Sequence, residues 1–101
     1  MTTFAIDAID VHGHYGEYVQ RGPGNVSDSF MTADAAEVAR RAQQVRIALT
    51  FVSPLAALLP RFQADAVAGN EEAARIVPQT EGLRYYVVVD PRRPETYRQA
   101  D

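Results

Sequence analysis

The chain has 101 residues, 47% of them hydrophobic, and a formal net charge of −3. That is enough for one ordinary domain or part of a larger one, too apolar for a disordered tail, and without the basic excess of a nucleic-acid surface. Cysteine is absent, so disulfides and thiolate ligands are excluded and any metal must rest on His, Asp, Glu or water. No apolar run approaches the ~20 residues of a membrane span, and Met1-Thr2-Thr3-Phe4 lacks the basic and apolar segments of a secretion signal. A soluble cytoplasmic protein, with neither nucleic acid nor membrane as partner, is the expectation.

The first apolar run, about residues 4–12, predicts a strand. Residues two apart on a regular strand share a face. Ile9 and Val11 would lie on one side, and Ile6, Ala8, Asp10, His12 and His14 on the other. Residues 15–31 read as a long polar loop containing Gly16, Gly22, Pro23 and Gly24, and loops of this length are commonly functional. Thr32 is the expected N-cap of a helix over 33–45, with Asp34 and Glu37 near the positive end of its dipole. Val38, Ala42 and Val45 supply its apolar stripe, and Arg40, Arg41, Gln43 and Gln44 its outer side.

Residues 46–52, with the run Ile47-Ala48-Leu49-Thr50-Phe51-Val52, suit a strand covered on both faces, as in parallel sheets. Ser53-Pro54 stops it, and 55–59 read as a helical turn or part of a lid. A second helix is expected over about 62–77, with a soft point at Gly69-Asn70 and Pro78 closing it. Residues 83–89 are β-branched and aromatic and predict a third strand. Asp90-Pro91 ends that strand, and Pro94 opens a third helix at its first position.

This alternation predicts an α/β fold with three parallel strands joined by right-handed crossovers, residues 1–101 forming a single unit. Two helices can cover one sheet face. The other would carry apolar side chains with nothing to cover them, at a cost of about 25 cal/mol per Å² of apolar surface. The expectation is therefore the N-terminal part of a larger α/β protein, with homo-oligomerisation as the other way to shield the face.

The chemistry concentrates in Ile9-Asp10-Val11-His12-Gly13-His14, which holds the only two histidines of the chain. Two imidazoles converging at a strand end begin a metal site, so His12 and His14 are the candidate ligands. Asp10 could orient one of them as a supporting carboxylate. In the following loop, Tyr15, Tyr18 and Arg21 are candidate substrate contacts, Arg21 because its guanidinium suits a substrate carboxylate. Ser53 has no base in sight for nucleophilic catalysis. Asp90 reads as a turn residue before Pro91, Tyr85 and Tyr86 as packing, and Arg92 and Arg93 as the solvated start of a helix. No glycine-rich phosphate loop is present.

Together these segments resemble the start of the amidohydrolase superfamily, in particular the amidohydrolase-related group that includes aminocarboxymuconate-semialdehyde decarboxylase. Ile9-Asp10-Val11-His12-Gly13-His14 carries the resemblance. Val45-Arg46-Ile47-Ala48-Leu49, Asn70-Glu71-Glu72-Ala73-Ala74-Arg75-Ile76-Val77 and Leu83-Arg84-Tyr85-Tyr86-Val87-Val88-Val89-Asp90-Pro91 extend it along nearly the whole chain.

The resemblance implies the first three β/α units of a (β/α)₈ barrel, with the site at the carboxyl ends of the strands. It also implies a divalent metal, usually zinc, bound by His12 and His14, and a small-molecule substrate. The implied reaction is hydrolysis of a C–N, C–O or C–C bond, or non-oxidative decarboxylation. Further ligands and the catalytic acid/base would come from later strands, beyond Asp101, so this chain alone is expected to be inactive. A TatD-like metal-dependent nuclease also opens with a His-x-His strand, although no basic cluster adjoins His14. A non-catalytic α/β binding or assembly module is the alternative from outside enzymology.

Overall fold

The computed structural model describes residues 7–16, 33–58 and 65–101. Within them the order is β1 (Ala8–Tyr15), α1 (Ala35–Gln44), β2 (Ile47–Pro54), α2 (Leu55–Leu58), α3 (Ala66–Ile76) running into a 3₁₀ turn (Val77–Gln79), β3 (Leu83–Tyr85) and α4 (Glu95–Ala100). The strands form one sheet in the order β1-β2-β3, and both pairings are parallel. The expected α/β class and three-stranded parallel sheet are therefore present. Phe4, Ile6, Tyr18, Arg21 and Thr32 lie outside the described residues.

Helix α1 forms where a cap meets an apolar stripe. Asp34 is extended, and its carboxylate accepts the Glu37 N–H at 2.8 Å, satisfying one of the free donors of the first turn. The cap is thus Asp34, two residues beyond the expected Thr32. Ala35 and Ala39 face inward. The helix ends when Arg46 turns to a φ of 64°, a left-handed conformation that a non-glycine residue seldom adopts. The Arg46 carbonyl then accepts the Ala8 N–H at 3.2 Å, fastening the helix exit to the start of β1.

Helix α3 is capped in the same way by Asp65, which accepts the Ala68 N–H at 3.1 Å. Gly69-Asn70 is not a soft point. A Cβ at Gly69 would stand 2.5 Å from Ala57 Cβ, so glycine lets α2 lie directly on α3. Asn70, 2% exposed, is a clip. Its amide N donates to the Val88 carbonyl and to Gln99 Oε1, and its oxygen accepts the Val88 N–H, each at 2.8 Å.

That clip explains why the third strand is shorter than the expected 83–89. Strand pairing stops at Tyr85, the Tyr86 N–H still donates to the Val52 carbonyl at 2.9 Å, and Val88 is held by a helix side chain. Thr96 then ties the exit to α4. Its hydroxyl accepts the Asp90 N–H at 3.0 Å and lies 2.8 Å from the Arg93 carbonyl.

The core joins Tyr15, Ala35, Ala39, Val52, Ala73, Val77 and Leu83. Ala35 and Ala39 of α1 and Ala73 of α3 belong to one cluster with Val52 and Leu83, so both helices lie on one face of the sheet. Along β2, Thr50, Val52 and Pro54 are buried, while Leu49, Phe51 and Ser53 alternate with them and are half-buried. The expected coverage of β2 on both faces is not met among the described residues. No helix among them is long and apolar enough to cross a membrane.

Candidate functional site at the carboxyl ends of the strands

Parallel pairing puts the carboxyl ends of all three strands at one edge of the sheet, where α/β proteins assemble their sites. The His-Gly-His segment lies at that edge in β1. Its geometry departs from a regular strand. Asp10 pairs with Thr50 and Gly13 with Val52, so three steps along β1 match two along β2, and a bulge lies between them.

The bulge reverses the alternation. Asp10, Gly13 and Tyr15 share the helix-covered face with their partners Thr50, Val52 and Pro54. His14 pairs with Ser53 and shares the open face with Leu49 and Phe51. The pairing thus sets Asp10 and His14 at alternate positions of the ladder, one extra residue shifting the period of two, although both border one cleft on the α1 side.

The two histidine rings meet nonetheless. Their centroids are 5.0 Å apart and their planes cross at 80°. Zinc–nitrogen bonds of ~2.0–2.1 Å at a tetrahedral angle would place two ring centroids about 5 Å apart, and an edge-to-face contact between two rings gives the same spacing, so the distance is compatible with either. His14 Nδ1 lies 3.3 Å from the Ser53 carbonyl. A carbonyl only accepts, so this contact is a hydrogen bond when Nδ1 carries the hydrogen. Among the described residues no group of three or more His, Asp or Glu is placed to hold a metal.

Asp10 Oδ1 accepts the His12 backbone N–H at 3.0 Å, which ties the carboxylate to the bulge. Gly13 has a steric reason to stand between the histidines. A Cβ there would meet Thr50 Cγ2 at 2.8 Å and Val52 Cγ1 at 3.3 Å. A cleft of about 270 Å³ is bordered by Asp10, Gly13 and His14 of β1, Ile47 and Thr50 of β2, and Val38, Arg41, Ala42 and Val45 of α1, so His14 also adjoins the helix side.

Tyr15, expected to face substrate, is 3% exposed in the helix-side core. Burial foremost, and then the Glu72 charge, raise its phenol to a pKa of about 12, so it keeps its proton. Arg21 and Tyr18 lie outside the described residues. Asp90 is the turn residue it was expected to be. Its carboxylate accepts from the Arg92 backbone N–H at 2.9 Å and pairs with the Arg92 guanidinium at 3.2 Å, which holds it below the usual carboxylate range. Arg93 is paired with Asp65 at 3.2 Å and with Glu95 at 3.6 Å.

Sequence reasoning missed Tyr86 as a site residue. It crosses the open face above Phe51, with ring centroids 5.6 Å apart, and its hydroxyl donates to the Val11 carbonyl at 3.0 Å. The bulge had a sequence signal in Gly13, since a glycine inside a strand often marks one. The Tyr86 contact had none, because 75 residues separate the partners. No family model, curated protein or solved structure matches this chain.

Proposed function

We propose that this chain is the metal-ligating N-terminal portion of a hydrolase or non-oxidative decarboxylase of the amidohydrolase type. In this reading His12 and His14 hold a divalent metal, zinc by the resemblance, and the open sheet face is the interior of a (β/α)₈ barrel. The observation that carries it is the imidazole pair, 5.0 Å between centroids, at the carboxyl end of a parallel strand. A bound metal would activate water or polarise a carbonyl of a small-molecule substrate. The chain's own contribution is to present two imidazoles, one oriented through the Ser53 carbonyl.

The test is a zinc titration of the 101-residue chain followed by NMR of the two ring Cε1–H resonances. Both are expected to move with one common midpoint, and His12→Ala to abolish the response of His14. Resonances that stay fixed, or that titrate independently, would overturn the assignment.

A second reading is favoured by the exposure of Ile9 (60%) and Val11 (62%). Exposed apolar surface of that kind suits a non-catalytic module whose open face is covered by a second copy. Size-exclusion chromatography with and without zinc separates the two. A well-behaved dimer indifferent to zinc supports the module, and a species that responds to zinc supports the metal-site reading.

A further inference from the structure

The bulge between Asp10 and Gly13 takes Val11 and His12 out of the regular ladder, and both backbone groups then need partners. Side chains supply them. The Asp10 carboxylate accepts the His12 N–H at 3.0 Å, and the Tyr86 hydroxyl donates to the Val11 carbonyl at 3.0 Å. The first bond is local, between residues two apart. The second reaches across the whole sheet. Tyr86 follows β3, its ring packs on Phe51 of β2, and its hydroxyl ends on β1. One side chain therefore fixes the distance between the outer strands on the open face, at the residue immediately before His12.

We propose that Tyr86 is a positioning residue for the His12–His14 pair, a role that rests on reading that pair as metal ligands. It touches neither ring. Its hydroxyl holds the bulged backbone from which His12 projects, while the Ser53 carbonyl orients His14 from β2. The two rings thus take their bearings from different strands, and Tyr86 keeps those strands in register. A free Val11 carbonyl would let the bulge relax, and the His12 ring would leave its place beside His14. Partners bonded directly to a ligand are commonly worth 10–100-fold in metal affinity, and Tyr86, acting one residue further back, is expected at the low end of that range.

The experiment compares wild type, Tyr86→Phe, Phe51→Leu and a variant with para-aminophenylalanine at position 86, which keeps an N–H donor at about the same reach. Each is read in two ways: by the ring-to-ring nuclear Overhauser effect between His12 and His14 without metal, and by the midpoint of a zinc titration. Tyr86→Phe is expected to lose the ring-to-ring signal and to raise the zinc midpoint about tenfold. The amino variant should restore both, and Phe51→Leu should change them less than Tyr86→Phe does.

Equal ring signals and equal midpoints in wild type and Tyr86→Phe would overturn the proposal. So would an amino variant as impaired as Tyr86→Phe, and that variant decides the matter if Tyr86→Phe fails to fold. A wild type that binds no zinc while showing the ring signal would instead sink the metal reading, and the metal-free comparison would still decide the role of Tyr86.

Discussion

A methyl group at Gly13 would stand 2.8 Å from Thr50 Cγ2, closer than folded chains allow. A Cβ between the two histidines would run into the side chains of Thr50 and Val52 on β2, and the close fit of β1 there depends on its absence. Gly13→Ala should push the strands apart at the bulge. Overpacking of this kind typically costs ~1–3 kcal/mol, and the histidine pair should be disturbed along with stability. Urea denaturation monitored by circular dichroism checks the first effect, and the ring-to-ring signal of His12 and His14 checks the second. An alanine variant as stable as wild type, with the rings unmoved, would show that β1 does not lie on Thr50 as described.

At the scale of elements, α1 illustrates how a helix with little apolar surface is held. Its inward residues are small alanines, so its ends and outer side matter more than usual. Asp34 caps the first turn, and Glu37 binds both Arg40 at 2.6 Å and Arg41 at 2.8 Å.

Hydrogen bonds from Arg40 foremost, and also from Arg41, lower the Glu37 pKa from 4.5 to about 2. A depressed carboxyl pKa stabilises the fold above the unfolded value and loses that effect as the pH falls through the folded value. The contribution is therefore complete above pH 4.5 and fades towards about pH 2. Urea midpoints measured at low salt across that window should fall more steeply for wild type than for Glu37→Gln. The difference should shrink with added salt, because the network is solvent-exposed. Parallel curves for the two proteins would show that the network does not contribute.

At the scale of the molecule, one strand of the sheet is paired on both sides among the described residues. Strand β2 is hydrogen-bonded to β1 along most of its length and to β3 over three residues. Thr50 N–H also donates to the Gly82 carbonyl at 2.8 Å. Native-state hydrogen exchange should therefore find its slowest amides in β2, with β1 opening more readily. Slower exchange in β1 than in β2 would mean that the outer edge of β1 is itself paired, which a second copy or a further strand would do. Exchange measured over a range of protein concentrations distinguishes those two, since only the first depends on concentration.

Much of this architecture is legible in the sequence, for local reasons. Alternating apolar runs and capped amphipathic stretches specify strand and helix through neighbours a few residues apart, and strands separated by helices are constrained to run parallel. The proximity of His12 and His14 is also local, because two positions separate them. The face of the sheet to which His14 belongs is not.

That face depends on the bulge, and the bulge depends on what β2 offers opposite Gly13 and on whether Asp10 and Tyr86 satisfy the backbone it frees. The early end of β3 depends in the same way on Asn70, which takes over Val88 from another element. Pattern reads periodicity within a segment. Register and the fate of unpaired backbone groups are set by partners distant in the chain, so tertiary structure alone decides them.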